Sequence, residues 1–195
     1  MKFSRILICK LFAIGIVALP TSVFSQTVPK ELSIQGGIYD FTDETSREFY
    51  KIAPSLSVAW DVYKRNNLSF SVLSGLSHSS VKYNSRRHHM NLVQLNFLCR
   101  YVLTQTDTKI RPYMGSGLGV FFKSDKNKTL NRTHHSFMYG YLINTGIDFP
   151  MKNDGTMFLD LKFVFVIPSE SEEINVSGVS PTLGIRIPIN GGRKK

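Results

Sequence analysis

The 195-residue sequence predicts an all-β chain, an eight-stranded antiparallel up-and-down transmembrane β-barrel. Three observations carry this. Eight stretches alternate bulky apolar residues with small or polar ones, the period of a strand. Their connections are short and long in strict rotation, so every strand reverses direction and all long loops share one end. The third is residues 111–122, RPYMGSGLGVFF. It sets Met114, Ser116, Leu118, Val120 and Phe122 on one face against Tyr113, Gly115, Gly117, Gly119 and Phe121 on the other. Alternate glycines weaken an isolated strand. They suit a wall that curves on itself, where larger side chains from across the bore need the room.

The chain starts with a leader. Lys2, Arg5 and Lys10 precede an apolar run over 11–19; Pro20 ends it, and Val23-Phe24-Ser25 offers a peptidase site. This pattern reads as a Sec-type signal peptide over 1–25, followed by a barrel over 26–190 and a short basic tail over 191–195. The leader takes three of the 24 basic residues and none of the 14 acids, so the mature chain stays strongly basic. An exported chain does not ordinarily meet nucleic acid, so that partner is excluded and an anionic membrane surface is the better match. Only Cys99 survives cleavage, which rules out an intramolecular disulfide. No apolar run in the mature chain approaches the roughly 20 residues of a spanning helix.

The strands are expected at 31–39, 54–63, 68–78, 89–102, 109–122, 135–149, 156–167 and 176–189, with no helical periodicity between them. The short connections 64–67, 103–108 and 150–155 hold turn formers such as Asn66-Asn67 and Asn153-Asp154-Gly155. The long ones, 40–53, 79–88, 123–134 and 168–175, are heavily charged. The second strand sets Leu56, Val58, Trp60 and Val62 against Ser55, Ser57, Ala59 and Asp61. The fourth sets Val93, Leu95, Phe97, Cys99 and Tyr101 against Gln94, Asn96, Leu98 and Arg100. The sixth, seventh and eighth repeat the pattern, with Asp148, Asp160, Lys162 and Arg186 on the polar side.

Those rows decide between a soluble barrel with an apolar lumen and a membrane barrel with an apolar exterior. Eight strands enclose a bore that side chains fill. The apolar rows are too bulky for it, whereas glycine, serine and ion pairs fit. A charge facing lipid at mid-membrane costs roughly 2–4 kcal/mol, and the apolar rows carry none there. Tyr63, Tyr101 and Phe149 stand beside the short turns, where an aromatic girdle belongs. Asp61, Arg100, Asp148 and Arg186 all fall inward near the short-turn end of alternate strands. With Asp160 and Lys162 they are expected to pair and plug the bore, because buried charges persist only when paired.

PYMGSGLG in the fifth strand, INTGIDFP in the sixth and SPTLGIRIPI in the eighth resemble the small outer-membrane β-barrel family, the OmpA-type, porin-family barrel domain of Gram-negative bacteria. The resemblance spans essentially the whole mature chain. It implies an eight-stranded barrel with periplasmic turns and cell-surface loops, and members that serve as structural anchors, adhesins, narrow pores or secretion accessories. Such chains often finish on an aromatic residue, whereas this one runs past Ile189 into a short polar tail.

The long loops carry the candidate functional charges. The second carries Lys82, Arg86 and Arg87 without an acid; the third carries Lys123, Lys126, Lys128 and Arg132 against Asp125. The first is acidic through Asp40, Asp43, Glu44 and Glu48, the fourth through Glu170, Glu172 and Glu173. A bipolar rim follows, whose basic half (Lys82, Arg86, Arg87, Lys126, Lys128, Arg132) is expected to hold lipopolysaccharide phosphates, with room for a protein partner on the loops. His78, His88, His89, His134 and His135 lie on the same side; adjacent residues face opposite ways and no ligand-spaced acids accompany them, so no metal is assigned. No cofactor and no catalytic residue is assigned. The readings kept beside this one are a lipid A acyl hydrolase using Ser136 and His135, and a narrow porin-like channel.

Overall fold

A computed structural model describes residues 31–83, 86–103, 109–127, 132–152, 154–167 and 175–189. The expected leader, the basic tail, Lys128 and the acids of the fourth loop lie outside the described residues. Eight antiparallel strands close one barrel: β1 (Glu31–Phe41), β2 (Ile52–Arg65), β3 (Leu68–Tyr83), β4 (Arg86–Val102), β5 (Arg111–Asn127), β6 (Arg132–Pro150), β7 (Thr156–Ile167) and β8 (Gly178–Pro188). Each pairs with its sequence neighbours, and β8 returns to β1 from Glu31↔Pro188 to Phe41↔Gly178. Closure leaves no strand edge unpaired. Asn66 and Asp154 take positive φ (51° and 58°) in two of the short turns, the conformation for which Asn and Asp are suited.

The wall is turned inside out relative to a soluble protein. Leu56, Trp60, Phe97 and Phe163 project outward, Phe97 with 60% of its surface exposed. Asp61, Arg100 and Arg186 are buried in the bore. An exterior this apolar requires lipid as its solvent.

Two local devices adjust the alternation. A bulge between Asp61 and Tyr63 leaves Val62 without a partner on β3, so Tyr63 pairs with Phe70 and Lys64 with the buried Ser69. Tyr63 therefore reaches the exterior beside Phe70, with ring centroids 5.9 Å apart, and Lys64 turns toward the bore. In β8, Pro181 has no N–H to give; the β1–β8 register lapses there, and Ser180 Oγ donates instead to the Ile38 carbonyl at 2.9 Å.

Several expectations need correction. The inner strands run well past the expected loop boundaries, with β3, β4, β5 and β6 reaching 16, 17, 17 and 19 residues. Crossing a bilayer takes about 9–11 residues. The rest forms a crown standing above the membrane on one side, so Lys82, Arg86, Arg87, Lys126 and Arg132 belong to strands, not loops. The first long connection contains a helix, α1 (Glu44–Tyr50), capped by Asp43, whose carboxylate accepts from the Ser46 N–H at 2.9 Å. Seven residues are too few to display a 3.6-residue period. The bore is also not polar throughout. Its outer half is packed with Tyr39, Phe41, Leu73, Met90, Leu92, Phe121, Met138, Leu142, Val164 and Val166. Apolar filling is stable there because α1 covers the mouth: Tyr50 is buried against Phe41.

The glycines of β5 face inward, and their space is claimed by the adjoining strands more than by the far wall. A Cβ on Gly117 would lie 2.2 Å from the Phe97 carbonyl oxygen and 2.7 Å from Leu98, and one on Gly119 would lie 1.8 Å from Asn96 Oδ1. In so narrow a barrel the inward directions of adjacent strands converge.

Candidate functional site

Three features compete as the working part of this molecule: the ionic half of the bore, the cover over its mouth, and the charged crown.

The ionic half is built from inward positions of alternate strands. Asp148 Oδ2 on β6 receives Nη1 of Arg186 at 2.9 Å and Nη1 of Arg100 at 3.4 Å. Arg100 also reaches Asp61 at 3.5 Å and donates from Nε to Ser69 at 3.1 Å. Each guanidinium lies over an aromatic ring, Arg100 over Tyr113 at 5.2 Å and Arg186 over Phe158 at 4.7 Å. Glu31 and Lys64, 2.6 Å apart, extend the cluster toward the short-turn end, with Arg186 Nε 3.8 Å from Glu31. Neither is marked by the residue pattern. Glu31 begins its strand, and the bulge that turns Lys64 inward leaves no mark on the residue pattern.

A second group sits beside the first. Lys162 Nζ contacts Asp160 at 2.9 Å and donates to Gln35 Oε1 at 2.9 Å and Thr182 Oγ1 at 3.0 Å. Asn144 donates to the other Asp160 oxygen at 3.1 Å. Among these contacts Glu31, Asp61, Asp148 and Asp160 balance Lys64, Arg100, Lys162 and Arg186. Between Asp61, Arg100, Tyr113, Asn144 and Arg186 it leaves a cavity of about 30 Å³, which has room for water and not for a solute.

Polar contacts from three strands and the stretch before β8 seat the cover. The Tyr50 hydroxyl donates to Asp125 Oδ2 on β5 at 2.6 Å, Ser79 Oγ on β3 donates to the Tyr50 carbonyl, and Ser46 Oγ donates to the Asn175 carbonyl. The Tyr39 hydroxyl on β1 donates to the Val176 carbonyl at 2.7 Å. Arg47 binds Asp40 at 3.0 Å. Of the acids expected to charge the first loop, Asp40 is therefore paired, Asp43 caps α1, and Glu44 and Glu48 remain exposed.

In the crown, register brings the basic residues together. Lys82 pairs with Arg87 and Tyr83 with Arg86 across β3–β4; Asn127 pairs with Arg132 across β5–β6; His88 pairs with Asn127 between the two hairpins. Lys126 is exposed. Lys123 is not a rim cation, because its side chain is buried on the inward face.

Ser136 and His135 diverge. Ser136 is buried on the inward face, while the His135 ring is stacked on the outward Phe122 with centroids 5.5 Å apart. A serine and a base on opposite sides of a wall cannot share a proton, so the hydrolase reading loses this pair. The vicinal histidines separate likewise: His88 meets Phe49 of α1, and His89 meets His78. Among the described residues no group of three or more His, Cys, Asp or Glu side chains is arranged to hold a metal ion.

No family model matches the chain, and no curated protein sequence matches it. Solved structures do. The fold is similar to that of Neisserial surface protein A, NspA, with a TM-score of 0.67 at 11% identity over 83% of this chain and 97% of that one. The N-terminal β-barrel domain of Pseudomonas aeruginosa OprF gives 0.54 at 15% identity over 80% and 95%. Ail, the attachment invasion locus protein of Yersinia pestis, gives 0.54 at 10% identity over 81% and 97%. At these identities the likeness is one of fold, that of the small outer-membrane barrels.

Proposed function

We propose that this chain is an integral outer-membrane protein of structural and interaction type, exported by its 1–25 leader. It works as a rigid wall in lipid that presents a basic crown at the cell surface. The observation that carries this reading is the division of labour in the barrel. The exterior is apolar, the bore is filled by balanced ion pairs below and packed apolar side chains above, and β3–β6 carry basic residues past the apolar belt into the crown. A filled bore argues against a narrow channel, and the divergence of Ser136 and His135 argues against the hydrolase.

The crown supplies the interaction. Its hairpin ends set Lys82, Arg86 and Arg87 in register beside Lys126 and Arg132, at the level where lipopolysaccharide phosphates crowd the outer leaflet. Arg is suited to bidentate phosphate binding, Lys to point-charge attraction. Reversing Arg86, Arg87, Lys126 and Arg132 to Glu should cut lipopolysaccharide retention by an order of magnitude or more, since each cation near such a surface is worth about 1 kcal/mol. Unchanged retention by a variant that still shows the heat-modifiable migration of a closed barrel would refute the interaction.

A further inference from the structure

The outward face of β3–β6 carries an ordered series of tiers below the hairpin ends. Leu76, Val93, Phe122 and Phe137 are direct cross-strand partners and all exposed; they form the top course of the apolar belt. Two residues higher, His78, Asn91, Ser124 and His135 are again in register. Two higher still come Ser80, His89, Lys126 and Thr133. Successive tiers are about 7 Å apart along a strand, and four strands make a face about 14 Å wide. This is the scale of one lipid headgroup above its acyl chains.

The imidazoles are held, not loose. His78 Nδ1 lies 2.7 Å from Asn91 Oδ1, the His78 and His89 rings stand 6.1 Å apart with a 31° tilt, and His135 stacks on Phe122 at 17°. Lys126 is the fixed charge beside His89. No Asp or Glu occupies these tiers. The nearest carboxylate on these strands, Asp125, is turned inward to the Tyr50 hydroxyl. On the β2 side the next outward positions are Pro54 and Ile52, which bring no charge, and on the other side the described part of β7 ends lower, at Ile167. His135 faces Ser124 and Phe122. Among the described contacts, the ring of His78 meets Asn91 and His89.

From these tiers we infer a proton-gated site on the outer wall for the phosphate group of an outer-leaflet lipid, built by His78, His89, His135 and Lys126, with the lipid's chains lying on Leu76, Val93, Phe122 and Phe137. It rests on the reading of the barrel as an outer-membrane protein. Lys126 is the fixed cation within these tiers, and Lys82 and Arg87 are the register pair two residues above Ser80 and His89. Protonation of the imidazoles adds up to three more positive charges, and the phosphate keeps at least one negative charge. Ser124, Thr133 and Asn91 supply neutral polar groups around it. A transition metal, the other usual guest of two imidazoles, is disfavoured by the neighbouring ammonium and the lack of an acid.

The test uses the mature chain in phosphate-free detergent micelles at about pH 7.5 and about pH 6, the window of imidazole titration. Its probes are diphosphoryl lipid A, dephosphorylated lipid A and inorganic phosphate. Diphosphoryl lipid A should bind at least about fivefold tighter at the lower pH, the effect of one added surface cation. Dephosphorylated lipid A should show no such gain, and inorganic phosphate should bind far more weakly. The triple variant His78→Gln, His89→Gln, His135→Gln should lose the acid gain and keep its affinity near pH 7.5. His89→Lys should carry part of that gain at both pH values. Persistence of the gain in the triple variant overturns the site, and so does equal binding of inorganic phosphate or a gain that requires added zinc. Reversing Arg86, Arg87 and Arg132 should lower affinity at both pH values and spare the gain, so failure of the crown and failure of the wall site are told apart.

Discussion

Asp148 offers one oxygen to two guanidiniums, with Arg186 at 2.9 Å and Arg100 at 3.4 Å. With that charge removed, two buried cations are left to Asp61 at 3.5 Å and Glu31 at 3.8 Å, neither within hydrogen-bonding range. Breaking a buried ion pair from one side costs about 3–5 kcal/mol, because the remaining charge is left uncompensated. Asp148→Asn should therefore lower the urea midpoint of the folded barrel in lipid vesicles by an amount in that range, and a loss below about 1 kcal/mol would show that the cluster does not hold the wall together. Alternation carries the inward facing of Asp148, Asp61, Arg100 and Arg186, since period two fixes the face of any residue in an unbroken strand. It does not carry Lys64, because the bulge at Val62 resets the count, nor the tall apolar residues of the upper bore. Leu73, Met138 and Leu142 stand on the polar rows and are buried there in one apolar cluster with Met90, Leu92 and Phe121.

The cover over the mouth is α1, and its cap is the test of the element. Asp43 is the N-cap, and its carboxylate accepts from the N–H of Ser46 at 2.9 Å. Asp43→Ala should cost the helix about 1 kcal/mol. Because Tyr50 and Ser46 are anchored on β3, β5 and the stretch before β8, the loss should appear as faster amide exchange over Glu44–Tyr50, with the barrel strands still protected. Exchange unchanged over those residues would mean that the anchors alone hold the cover. In the sequence this helix is hidden by its length, although Asp43 followed by Glu44 is the acidic entry a helix N-terminus favours. The crown is hidden by a different confusion. Charge at 79–88 and 123–134 reports contact with water, and water is compatible with a strand that has left the bilayer while its ladder continues.

At the scale of the whole molecule, two unlike fillings stand in series along one bore. The lower is ionic and balanced, the upper apolar and roofed by α1. Each alone is a barrier of a different kind: the ion pairs obstruct by occupying the cross-section, and the apolar segment excludes water and with it any hydrated ion. Emptying one should therefore not open the other. With Asp61, Arg100, Asp148 and Arg186 all replaced by Ser, the lower bore hydrates without net charge change, and the variant should still give no steps in planar bilayers because Met90, Leu92, Phe121 and Met138 remain packed above. Adding Phe121→Gly and Met138→Gly beneath a roof deprived of Tyr50 by Tyr50→Ala should then admit water through the full length and produce discrete steps. Steps from the four-serine variant alone would show that the apolar half does not seal, and silence from the combined variant, still heat-modifiable, would place the barrier in the wall's own curvature, where the glycines of β5 already leave no room for a methyl group.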